Sequence, residues 1–274
     1  MAVSDRRRAQ FVDIRAFVGE VYGADLHAKR VDSLAGATLG VMQSASLAVT
    51  MIGQALAQAR GSVTKHAIKQ VDRMLSNNGI DVWDSFACWV PHQIGERREI
   101  LVAMDRTDFD HDDQSTLVLS LVTGHGRALP LIWITVWKEE LKDHRNDFED
   151  ACLRRLAALI PSGCRVITLA DRGFGDQKLL AFLAELGFGY VIRFRGNIHI
   201  ADADGTTKPA AECVGNGGRA RKLADARDCE RPASWCRRVR ACERHEGAVV
   251  LGDQRAGRDG GGDADQPLRQ KMDD

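Results

Sequence analysis

Two short apolar runs, REILVAMD at residues 98–105 and CRVITLAD at 164–171, each have strand length and each close on an aspartate. Runs of this length, rich in Ile, Val and Leu and bounded by polar residues, read as strands. Between them lie QSTLVLSLVT (114–123), a turn at Gly124-His125-Gly126, and a third β-rich run, RALPLIWITVW (127–137). Short connections between three strands predict an antiparallel meander. NDFEDACLRRLAALI (146–160) then has helical spacing, with Asn146 as the expected cap and Pro161-Ser162-Gly163 as its stop. After the second aspartate, DQKLLAFLAELGF (176–188) reads as a helix closed by Gly187, and YVIRFR (190–195) as a fifth strand. The expected order is β-β-β-α-β-α-β, an α/β fold built on a mixed sheet.

That order gives the aspartates a meaning. Groups just beyond strand ends in an open sheet line a shared crevice, and neighbouring strands lie about 5 Å apart. If the first and fourth strands are neighbours, Asp105 and Asp171 face one another. Two carboxylates that close repel unless a cation lies between them, so a divalent ion with oxygen ligands, Mg²⁺ or Mn²⁺, is the expected occupant. Such ions can activate a nucleophilic oxygen and stabilise a leaving oxygen in phosphodiester chemistry. The bland alternative is that each aspartate merely forms a turn or caps a helix. Asp108, Asp110, Asp112 and Asp113 crowd the following loop. Their spacing imitates the start of a calcium loop, but the glycine and the distal glutamate are missing, so calcium is rejected.

Up to about Trp89 the pattern is helical. In residues 32–59, DSLAGATLGVMQSASLAVTMIGQALAQA, apolar residues recur at helical spacing, with Gly and Ala permitting close contacts. SVTKHAIKQVDRMLSNNG (62–79) predicts another helix, capped by Ser62 or Thr64, with Ile68, Val71 and Leu75 as its apolar face. Its other face carries Lys65, His66, Lys69 and Arg73. That face is either a solvated surface or one laid on DNA phosphates.

Net charge is zero, so any affinity for nucleic acid has to come from local positive potential. The seven cysteines contain no CxxC pair and no Cys/His spacing of a zinc site, and they read as reduced, incidental thiols. The basic cluster near the N-terminus is followed by no uninterrupted apolar stretch. The expectation is therefore no secretory signal, no membrane span and a cytoplasmic address.

Taken together, MDRTDFDHDDQSTLVLSLVTGHGRALPLIW (104–133), KDHRNDFEDACLRRL (142–156), LADRGFGD (169–176) and YVIRFRGNI (190–198) resemble the insertion-sequence-four class of DDE transposases. The likeness runs from the N-terminal helices to about Arg227. It implies a ribonuclease-H-like core at residues 96–207 after a helical DNA-binding region at 1–95. It also implies that Asp105 and Asp171 are the first two metal-binding carboxylates and that Arg193 is a basic group on DNA. Double-stranded DNA, as element ends and target, is the implied partner, and a homodimer the implied assembly. The family's third acid is a glutamate in a Tyr-two-Arg-three-Glu pattern, which this chain lacks.

From Ala203 onward there is no Ile, Phe or Tyr, and no periodic pattern; residues 208–274 read as an unstructured tail. A shift of reading frame accounts for this. Read one base later, Leu268 to Asp274 and a stop codon permit Tyr-Gly-Lys-Arg-Trp-Thr-Ile-Glu. In that string Trp is forced, and so are two basic residues. The pattern is the missing signature, and the frame is expected to change near Arg227. The sequence thus predicts a transposase whose third carboxylate is lost, leaving this copy inactive. The alternative is a non-catalytic DNA-binding regulator of transposition. A metal nuclease unrelated to transposition shares the two aspartates but has no need of the hidden signature.

Overall fold

The computed structural model describes residues 10–175, 177–194, 199–201, 206–209, 223–224, 227–228, 238–241 and 248–252. The chain divides into two compact units, Met1–Gln93 and Ile94–Asp274.

The first unit is helical: α1 (Phe11–Tyr22), α2 (Ala28–Ser44), α3 (Val49–Arg60), α4 (Thr64–Leu75) and α5 (Val82–Ile94), the last ending at the boundary. The apolar stretch 32–59 is two helices because Ala45 adopts a left-handed conformation, φ 49°, that closes α2. Ile14, Val18, Val31, Leu39, Ile52, Leu56 and Val71 form the shared core. Glycine permits that packing at two points. A Cβ on Gly40 would lie 2.6 Å from the Ile52 side chain, and one on Gly53 would lie 2.5 Å from the Ile68 Cα. Two expectations for α4 are corrected. Its N-cap is Val63, with no side-chain cap, rather than Ser62 or Thr64. Its buried face is Ala67 and Val71, with Ile68 only half-buried, whereas Leu75 in the last turn is 62% exposed. Among the described residues no single helix is long and apolar enough to cross a membrane.

The second unit is mixed α/β. Its elements are β1 (Glu99–Phe109), β2 (Gln114–Val122), β3 (Ala128–Trp137), α6 (Lys138–Leu141), α7 (Arg145–Leu159), β4 (Arg165–Ala170), α8 (Gln177–Glu185) and β5 (Gly189–Phe194). Apart from the short α6, this is the order read from the sequence. The five strands lie side by side as β3-β2-β1-β4-β5. The hairpins β1–β2 and β2–β3 are antiparallel, whereas β1–β4 and β4–β5 are parallel. Strand β2 alternates half-buried and buried residues along its whole length, as a strand covered on one face should. Helix α7 buries Glu149, Cys152, Leu153 and Leu156, a stripe of helical period. Its N-cap is His144, not Asn146; the His144 Nδ1 and an Asp147 carboxylate oxygen are 2.9 Å apart across the first turn. Gly187, at φ 72°, ends the α8 segment as its sequence position predicts.

Short strands also occur near and within the stretch read as an unstructured tail. Further strands are β6 (His199–Ala201), β7 (Thr207–Pro209), β8 (Leu223–Ala224), β9 (Arg227–Asp228), β10 (Arg238–Ala241) and β11 (Ala248–Gly252). β11 pairs antiparallel with β5, and β10 and β8 continue the sheet; β7, β6 and β9 form a separate small sheet. The physical reason lies in the sequence of β11: AVVLG is an apolar, β-branched run, and β5 offers it an open row of backbone partners.

Candidate metal and nucleic-acid surfaces

Asp105 lies on β1, and Asp171 directly follows the neighbouring β4. The last pair of the β1–β4 ladder is Met104 with Ala170, so the next residue along each is an aspartate. On the following strand Ala170 pairs with Ile192, which puts Arg193 one step beyond, in the same row. Residues two apart share a face, so Asp105 and Asp171 lie on the face of Leu101, Ala103, Ile167 and Leu169. Leu101, Ile167 and Val191 form a small apolar cluster on that face. The row Asp105-Asp171-Arg193 thus crosses three strands at one end of an apolar patch.

One expectation needs refining. Asp105 does not end β1, which continues four residues further, to Phe109, in a hairpin with β2. It follows directly on the part of β1 that pairs with β4, and beyond it every residue except Arg106 is exposed. Each carboxylate is oriented by a nearby amide: the Arg106 N–H donates to Asp105 Oδ1 at 2.8 Å, and the Gly173 N–H to Asp171 Oδ1 at 2.8 Å. Asp171 also caps a 3-10 turn, Arg172–Phe174, so the bland capping role is present too. Capping uses one oxygen and leaves the other for a ligand. Both residues are exposed, and their oxygen donors match a hard divalent cation in chemistry. Two carboxylates are a sparse ligand set: among the described residues no three His, Cys, Asp or Glu side chains gather. Further along, Asp108 on β1 accepts from the Ser115 hydroxyl at 2.7 Å, and Asp110 pairs with Lys138.

Behind this row, on the opposite face, is a network that sequence reading missed. The Arg106 side chain, 9% exposed, donates from Nη2 to Glu149 Oε1 at 2.7 Å. Arg145 donates from Nε to the same oxygen at 3.1 Å. Burial, and then the charge of Arg145, lower the Arg106 guanidinium below its usual range, against the opposing pull of Glu149 and Asp108. The readable signal was Glu149 itself, an acid at a position of α7 whose i+3, i+4 and i+7 partners are Cys152, Leu153 and Leu156.

In the helical unit, Lys65, His66, Lys69 and Arg73 are all exposed on α4. Residues 61–63 join α3 to α4, and the turn opens on Gly61 at φ 62°. Asp72 is exposed beside the basic residues and dilutes their charge. No family model matches the chain, and no curated protein does. The thiols of Cys88, Cys152 and Cys164 are free. Cys88 donates to Asp25 at 2.7 Å, and burial with this contact pushes its pKa up to about 11. It is therefore a poor nucleophile or metal ligand near neutrality.

Proposed function

We propose that the chain is a DDE-type transposase of the insertion-sequence-four class with a ribonuclease-H-like catalytic unit, and that this copy binds DNA without cutting it. The observation that carries the reading is the β1–β4 register, which sets Asp105 beside Asp171 at the end of a parallel ladder. The β-β-β-α-β-α-β order and the adjacency of those two strands are what the resemblance requires. Bound Mg²⁺ or Mn²⁺ would supply activation of the attacking oxygen and stabilisation of the leaving one. Asp105 and Asp171 would hold it, each through the oxygen not tied to a backbone amide. Arg193, next in the row, would lie against the phosphate backbone. In the helical unit, the glycine turn between two helices and the exposed Lys65, Lys69 and Arg73 support DNA binding.

The second reading, a DNA-binding regulator that occupies element ends, draws on the sparse ligand set: two gathered carboxylates hold metal weakly. Both readings are tested together. A protein with the frame restored after Arg227 should cut element-end DNA in Mn²⁺, and Asp105→Asn or Asp171→Asn should each abolish cutting. The chain as written should bind the same DNA and leave it intact. Full cleavage by either asparagine variant would remove the catalytic assignment. Metal-dependent cutting by the chain as written would refute its loss of activity.

A further inference from the structure

Phe174, three residues after Asp171, is 3% exposed. Two guanidinium groups flank its ring: Arg106 Cζ lies 5.9 Å and Arg145 Cζ 5.5 Å from the centroid, both within cation–π range. The same two arginines share one Glu149 oxygen. Arg106 follows Asp105 on β1, so the network joins the residue after one aspartate to the turn begun by the other. A Cβ on Gly173 would meet Asp171 Oδ1 at 2.9 Å and Arg145 Nη2 at 3.7 Å, so the arginine also reaches the edge of the turn. Among the described residues, Arg106 Nε and Nη1 are buried with no hydrogen-bond partner, which leaves the guanidinium held chiefly by Glu149.

We propose that Glu149, Arg106 and Arg145 form a positioning clamp that grips Phe174, fixes the turn Asp171–Phe174 against β1, and so sets the spacing of Asp105 and Asp171. None of the three clamp residues is a ligand; each acts through the turn. The inference rests on the metal-site reading above only for its consequence, because the grip itself is a property of the fold. Glu149 is the fulcrum, holding both cations over the ring although their charges repel. Loss of its charge should release Arg145, whose side chain is 45% exposed, toward solvent. The turn should then open locally while the strands remain paired.

The test is hydrogen exchange by mass spectrometry on the full chain, with and without Mn²⁺, for the parent, Glu149→Gln and Phe174→Leu. Phe174→Leu keeps the buried charges and most of the apolar volume, so it guards against simple misfolding of Glu149→Gln. In both variants, exchange at residues 171–175 should rise about tenfold while the β2 peptide stays protected. Protection of that turn by Mn²⁺ should be present in the parent, absent in Asp105→Asn, and weakened about tenfold in the clamp variants. As a control, Leu153→Ala, in the same helix but outside the clamp, should lower stability without selective exchange at the turn. Unchanged exchange at 171–175 in both clamp variants overturns the clamp. Faster exchange there with no Mn²⁺ effect in the parent sustains the clamp and removes the metal reading instead.

Discussion

Asp105 and Arg106 are consecutive on β1 and meet opposite demands. Strand alternation sends the aspartate to the exposed row beside Asp171 and the arginine into the layer against α7. The aspartates could be read from sequence because an acid closing an apolar run is a local pattern. Arg106 could not, because its partner Glu149 is 43 residues away and the contact depends on how α7 crosses the sheet. Cys152 shows the same layer from another side. It is fully buried near Arg106 and Glu149, and burial pushes its pKa up to about 12 from the ordinary 9.0. A raised thiol pKa makes folding lose free energy as pH climbs, because the unfolded thiol ionises first. The loss should begin near pH 9 and continue to about pH 12, at about 1.4 kcal/mol per pH unit. Urea unfolding between pH 9 and 10.5 should show that slope, and Cys152→Ala should flatten it. Equal slopes in the two proteins would mean that Cys152 does not titrate in this way.

Among the elements, α3 and α4 depend on a close approach that glycine alone permits. A Cβ on Gly53 would lie 2.5 Å from the Ile68 Cα, a backbone atom that cannot swing away. Gly53→Ala should therefore cost about 1–3 kcal/mol and loosen α4, seen as a lower denaturant midpoint for the helical unit. A neutral or stabilising effect would show that the helices separate at no cost. The sequence made the small residues of 32–59 recognisable as contact points, but not which helix each would touch. It also misplaced the face of α4, since Leu75 continues the apolar period yet falls in the last turn, beyond the reach of the core. The basic face does follow the period. Replacing Lys65, Lys69 and Arg73 together by alanine should lower the salt slope of DNA binding by about one unit per lost phosphate contact. An unchanged slope would make this face a solvated surface.

At the scale of the molecule, the question is what closes the sheet at β5. The hairpin β1–β2–β3 and the parallel pairs through β4 follow from local patterns and short connections, and they were legible as an order of elements. The edge was not, because pairing between β5 and β11 spans a stretch in which the sequence shows no period. β11 runs antiparallel to β5 from Ala248 opposite Phe194 to Gly252 opposite Tyr190. It therefore covers a row of backbone donors and acceptors that would otherwise form an open edge, and open edges of apolar strands recruit other chains. Tyr190, Val191 and Ile192 on β5 are buried and apolar, the composition most prone to such pairing. Cutting the chain after Pro209 removes β8 to β11 together and leaves that edge bare. The shortened protein should keep the core of β1 to β5 but associate as its concentration rises, whereas the full chain should not. Light scattering over a concentration series reads this directly. If the shortened and full chains scatter alike, β11 does not protect β5.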